Sequence, residues 1–147
     1  MNTKEKQIEL FFSTWQKIDA LYAEYARRNG MSDAAMTVFN YIYYDETGLC
    51  TQKVLCEKTL LPKQTINSII NTLVSRDLVK LVKVTDDRRN KAVVITETGK
   101  NFYNQVLRPV CQAEQDTINQ LEEQEWEQLV KLIDKYASIF RTEIKKI

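Results

Sequence analysis

Apolar residues recur at three- and four-residue spacing along almost the whole chain, and that period changes only once, over residues 78–96. There Leu78 to Thr85 and Ala92 to Thr96 are apolar and β-branched, joined by the charged run Asp86-Asp87-Arg88-Arg89-Asn90-Lys91. This reads as one β-hairpin with a charged tip, set among helices. The three glycines, Gly30, Gly48 and Gly99, all fall at boundaries between periodic segments.

The helical segments follow from the same pattern. Ile8, Phe11, Phe12, Trp15, Ile18, Leu21, Tyr22 and Tyr25 form one stripe of a long amphipathic helix. Arg27, Arg28, Asn29 and Gly30 end it with positive charge and a left-handed cap. Ser32 or Asp33 caps a second helix, from Ala34 to about Tyr44, which is apolar on most faces and so central to the fold. Thr51 caps a short helix, Gln52 to Lys58. Pro62, in a first-turn position, opens the next, Lys63 to about Arg76. In that helix Ile66, Ile69, Ile70, Leu73 and Val74 make one stripe, opposite Lys63, Gln64, Thr65, Asn67, Ser68, Asn71 and Thr72. Thr96 and Glu97 start a further helix, with a kink expected at Pro109. Trp126, Leu129, Val130, Ile133, Tyr136, Ala137, Phe140 and Ile144 mark a last one, similar in character to the first.

What is missing narrows the function. The 147 residues suit one domain with helical extensions, and the proportions (44% hydrophobic, 28% charged) are those of a globular chain. No histidine is present, which removes histidine general bases, histidine-dependent triads and the usual catalytic zinc sites. The three cysteines, Cys50, Cys56 and Cys111, form no close pair, against a disulfide framework or structural zinc. Three scattered glycines cannot build a phosphate-cradling loop or a dinucleotide fingerprint. No metal, no cofactor and no catalytic residue is therefore expected, and an enzyme is the weak hypothesis. The longest uncharged run, Gln64 to Ser75, is too short and too polar to span a membrane. The N-terminus resembles no signal core, so the expected location is cytoplasmic.

Net charge is +1, but it is unevenly spread. Residues 51–91 hold nine basic and four acidic side chains, a balance of +5, between two ends that are each −2. A basic centre with acidic flanks suits a module that meets a polyanion.

A helix, a short break, a polar-faced helix and a basic-tipped hairpin, in that order, make a winged helix-turn-helix. A recognition helix buries one stripe and shows base edges short side chains with donors and acceptors. Gln64, Thr65, Asn67, Ser68 and Asn71 supply that here, with Thr51, Gln52 and Lys63 near helix N-termini that favour phosphate. Arg88 and Arg89 at the hairpin tip suit a narrow minor groove, with Asp87 orienting and Lys91 serving phosphate or the tip.

At these residues the sequence resembles a family. CTQKVLCEKTLLPKQTINSIINTLVSRDLVKLV is similar to the helix-turn-helix of the MarR family of bacterial transcriptional regulators, and DRRNKAVVITETGK to its wing and following helix. Asp87, Arg89 and Lys91 fit the Asp-x-Arg-x-Lys wing pattern, and Ile95-Thr96-Glu97-Thr98-Gly99 the Leu-Thr-x-x-Gly run. The resemblance implies a fold that is mainly α with a small β-hairpin wing, a winged helix-turn-helix with long N- and C-terminal dimerisation helices. Residues 32–97 would be the DNA-binding domain, and 1–31 with 98–147 the helical dimerisation region. It implies a homodimer on a pseudo-palindromic operator of double-stranded DNA, most often as a repressor released by a small-molecule or oxidant effector. Long apolar stripes at both ends point independently to an interface. The chain departs from the pattern at Ser68 and Thr72, where relatives often carry arginine, at Asp77, where a turn glycine is common, and at Pro62, in place of a capping serine. Less reliance on guanine contacts and more on the wing follows.

The family further implies an effector pocket, for which Phe12, Trp15, Tyr22, Met36, Tyr41 and Tyr44 are the aromatic and apolar candidates, suited to a small aromatic or lipophilic compound. The same residues also read as ordinary packing. Cys50, at a helix start, is the thiol best placed for redox sensing. The alternative to a regulator is a winged-helix protein-interaction module without specific DNA binding.

Overall fold

The structure, a computed structural model, describes residues 2–84 and 91–147. Helices α1 (Thr3–Arg28) and α2 (Asp33–Tyr43) lead into a short strand β1 (Cys50–Thr51). Helices α3 (Gln52–Thr59) and α4 (Lys63–Ser75) follow, then the hairpin strands β2 (Val79–Lys83) and β3 (Lys91–Ile95). Helix α5 (Glu97–Phe102) runs into a π turn (Tyr103–Leu107), α6 (Arg108–Ile118) and α7 (Glu123–Ile144). The chain divides into two compact units, residues 1–107 and 108–147.

Local chemistry sets the helix boundaries. α1 starts ahead of its apolar stripe because Asn2 caps it reciprocally. The Asn2 side chain accepts from the Glu5 N–H at 3.0 Å, and the Glu5 carboxylate accepts from the Asn2 N–H at 2.6 Å. Ser32, not Asp33, caps α2, its hydroxyl accepting from the Ala35 N–H at 3.1 Å. Thr51 caps α3 as expected. Pro62 stands one residue earlier than expected, at the cap of α4.

Two elements differ from the sequence reading. The hairpin gains a third strand, since β1 pairs antiparallel with β3 through Cys50↔Val93 and Thr51↔Ala92, giving the order β1-β3-β2. The distortion expected at Pro109 lies just before it, as the π turn. Pro109 has no N–H for the Gln105 carbonyl and its ring crowds that group, so a wider turn upstream accommodates it.

In the first unit Val38 and Phe39 of α2, Leu55 of α3, Ile66 and Leu73 of α4, and Val79 and Val93 of the sheet are fully buried. Phe102 meets Phe39 edge to face at 5.7 Å. From the π turn, Tyr103, Val106 and Leu107 join the same core, and the Tyr25 hydroxyl donates to the Val106 carbonyl at 2.8 Å. Gly99 is required where α5 passes the Leu78 backbone just before β2, because a Cβ there would lie 2.0 Å from the Leu78 carbonyl oxygen. α1 contributes little to this core: Ala26 is its only buried residue. In the second unit, neither α6 nor α7 has a buried residue. Among the described residues no helix is long and apolar enough to cross a membrane.

Candidate nucleic-acid interface

Helix α4 turns two different faces outward and inward. Ile66, Ile69, Ile70 and Leu73 are buried, while Lys63, Gln64, Thr65, Asn67, Ser68 and Asn71 are all exposed. The buried stripe fixes the rotation of the helix, and therefore which side chains a partner meets. Pro62 provides no side-chain acceptor at the cap, so the first-turn N–H groups face outward with the positive end of the helix dipole. That end, beside the Lys63 ammonium, is suited to a phosphate.

Neighbouring elements hold the helix at both ends. At the start, the Gln52 amide donates to the Lys63 carbonyl at 3.2 Å, so this side chain fastens α3 to α4 instead of standing free for bases. At the end, Arg76 donates to the Gly30 carbonyl at 2.9 Å and lies over the Phe102 ring at 5.2 Å. Next to it Asp77 adopts φ +55°, the turn position where a glycine is common. Its carbonyl accepts from the Thr96 hydroxyl at 2.5 Å, and its carboxylate from the Thr98 hydroxyl at 2.9 Å. The sequence reading assigned Arg76 and Asp77 no role in the site. The departure from glycine at Asp77 was the one signal pointing there.

Of the wing residues, Lys91 is exposed at the start of β3. Asp87, Arg88 and Arg89 lie outside the described residues.

The six effector candidates do not converge on one cavity. Phe12, Trp15 and Tyr22 are exposed along α1. Met36 belongs to the core, which removes it from any accessible lining. Tyr41 lies 5.7 Å beneath the Lys58 ammonium, and Tyr44 shares a short hydroxyl hydrogen bond with Tyr103. A cavity of about 190 Å³ opens elsewhere, lined among others by Met31, Ser32, Ser68, Ile69, Thr72 and Arg76, and none of the six borders it.

The redox role expected of Cys50 meets a physical obstacle. Pairing of β1 with β3 buries the residue, so it is not an exposed helix start. Burial, reinforced by Asp45, pushes its thiol up to about 11 against a weaker opposing pull from Lys58. A sensing thiol needs the reverse, a depressed pKa and access. Among the described residues no cluster of three acidic or thiol groups could hold a metal ion.

The comparisons with known proteins fall on the same elements. Residues 29–90 match the model of the MarR family, from the end of α1 through the helix-turn-helix into the wing. No curated protein matches the sequence. Among solved structures, AbsC, a MarR family transcriptional regulator from Streptomyces coelicolor, is 17% identical with a TM-score of 0.80, over 97% of both chains. A MarR family regulator from Neisseria meningitidis is 21% identical with a TM-score of 0.78, over 99% of both chains. MepR from S. aureus, in a complex with DNA, is 18% identical with a TM-score of 0.75, over 90% of this chain and 96% of that one. Residues 29–90 thus resemble the MarR family, and the chain shares the winged helix-turn-helix fold of these solved structures.

Proposed function

We propose that the protein is a sequence-specific DNA-binding transcriptional regulator acting as a homodimer. Each protomer places the polar face of α4 in the major groove and its wing in the adjacent minor groove of a pseudo-palindromic operator. The observation that carries this reading is α4 itself. It presents an unbroken row of short polar side chains behind an uncapped N-terminus and is held in position at both ends. The fold it shares with a protein solved on DNA supports the same reading.

Residues 32–97 are the reading head in this scheme, and residues 1–31 and 98–147 the dimerisation region. The apolar side chains left exposed on α1 and α7 are the surfaces that a second protomer covers. Repression relieved by a small-molecule effector completes the proposal, with exposed Phe12, Trp15 and Tyr22 supplying its aromatic wall.

Purified protein at about 150 mM salt, near physiological ionic strength, is to be used to select fragments of the source genome. Enrichment of a short pseudo-palindrome, with half-sites about one helical turn apart, is the expected result. A dimer that enriches no sequence would overturn specific regulation and favour the protein-interaction module.

A further inference from the structure

The stem of the wing carries a charge pattern that works against its own folding. In the β2–β3 register Lys83 stands directly opposite Lys91, and both are exposed. Directly opposed residues of an antiparallel pair project from the same face, and like charges in that relation destabilise the hairpin. The residues that precede Lys83 on this face of β2 are Leu81, opposite Val93, and Val79, opposite Ile95. Val79 and Val93 are buried, so the two lysines continue a face that starts in the core and ends in solvent. Lys80, opposite Val94, lies on the other face. Among the described residues neither Lys83 nor Lys91 has an ion-pair partner. The nearest carboxylates in sequence, Asp86 and Asp87, lie outside the described residues.

Two lysines set opposite each other by the strand register have no anion to share among the described residues. We infer that Lys83 and Lys91 form a clamp at the root of the wing for one backbone phosphate of bound nucleic acid. This rests on the DNA-binding reading and adds to it a residue, Lys83, and a physical consequence. With no ligand the pair repels and weakens the stem; with a phosphate between them both charges are balanced and the stem is strengthened. Folding stability and DNA affinity must therefore respond in opposite directions when one lysine loses its charge. A lysine that only packs along the strand would lower both or neither.

The variants are Lys83→Gln, Lys83→Glu and Lys83→Arg in the full chain, with a plain duplex of about 30 base pairs as the probe, since phosphate contacts are independent of sequence. Melting is followed at low salt without DNA, and binding by fluorescence anisotropy across a salt series. Lys83→Gln should raise the Tm by roughly 1–3 °C, from relief of one cross-strand repulsion. The same change should reduce the slope of log K against log salt by up to about 0.9, the share of one whole phosphate contact, since Lys91 remains at the same phosphate. Lys83→Glu, which sets an opposite charge against Lys91, should move both readings further in the same directions. Lys83→Arg should keep both near the parent values.

A lower Tm in Lys83→Gln and Lys83→Glu would show that a carboxylate already balances the lysine, and would overturn the clamp. An unchanged salt slope in these variants, with the parent binding normally, would also overturn it while leaving the regulator reading intact. A parent that shows no salt-dependent binding at all would sink both.

Discussion

The region from α2 to the sheet and the long helices α1 and α7 use similar apolar residues to opposite ends. Phe39, Leu55, Ile66 and Leu73 are sealed inside the first unit, whereas Trp15 on α1 and Phe140 on α7 stay 43% and 49% exposed. A core that closes without most of α1 gives the reading head a rigidity of its own. The exposed stripes on these helices of 26 and 22 residues are the surfaces that the proposed dimer would cover. Stability of the head and assembly of the proposed dimer should therefore respond to different substitutions.

Leu73→Ala should give the largest effect. The residue is fully buried in the last turn of α4, and deleting its side chain should cost about 3–5 kcal/mol in denaturant unfolding. A cost under about 1 kcal/mol would mean that the core tolerates a void and that α4 is not rigidly seated. Phe140→Ala should instead leave the spectroscopic signature of the head unchanged and weaken self-association, by roughly 1–2 kcal/mol or about tenfold, in sedimentation measurements. If Phe140→Ala leaves self-association intact, the α7 stripe is not the dimer surface and the comparison drawn above fails on that side.

The same contrast explains what the sequence disclosed. Order and spacing exposed the helix-turn-helix and its hairpin because each buried stripe, such as Ile66, Ile69, Ile70 and Leu73, has a period that only one structure satisfies. β1 was missed because two residues carry no period, and with it went the burial of Cys50. The start of α1 was missed because Thr3 to Gln7 are polar and the Asn2–Glu5 cap, not a stripe, defines it. The effector candidates were less legible for a related reason. Helical spacing shows that Met36 and Trp15 each lie on an apolar face, but not whether that face meets the core, a cavity or a second chain.

Cys50 tests how well β1 closes the sheet end of the core. Its thiol is raised from 9.0 to about 11, so the native state holds that proton more tightly than the unfolded chain does. Stability from this group is fully present below pH 9 and is lost as pH rises from about 9 towards 11. Cys50→Ala should flatten that part of the stability–pH curve, and the native thiol should alkylate slowly at pH 8. Rapid alkylation there would mean that β1 opens readily and would restore Cys50 as a redox candidate.

The smallest effect is expected where the packed region leaves an apolar side chain most exposed. Leu60, in the turn between α3 and α4, is 87% exposed and holds φ +58°. For an L-residue that conformation costs roughly 1–2 kcal/mol, which glycine avoids while giving back part of the gain as backbone entropy. Asp77 has a similar φ of +55°, but hydrogen bonds from Thr96 and Thr98 hold it there. The structure gives Leu60 no packing that offsets its strain. Leu60→Gly should therefore raise stability by about 0.5 kcal/mol, the difference between relieved strain and added backbone freedom. Asp77→Gly should gain nothing, because it loses the Thr98 hydrogen bond along with the strain. A loss of stability in Leu60→Gly would mean that this leucine is packed in solution, so that the turn before α4 belongs with the exposed stripes of α1 and α7 as a surface awaiting a partner.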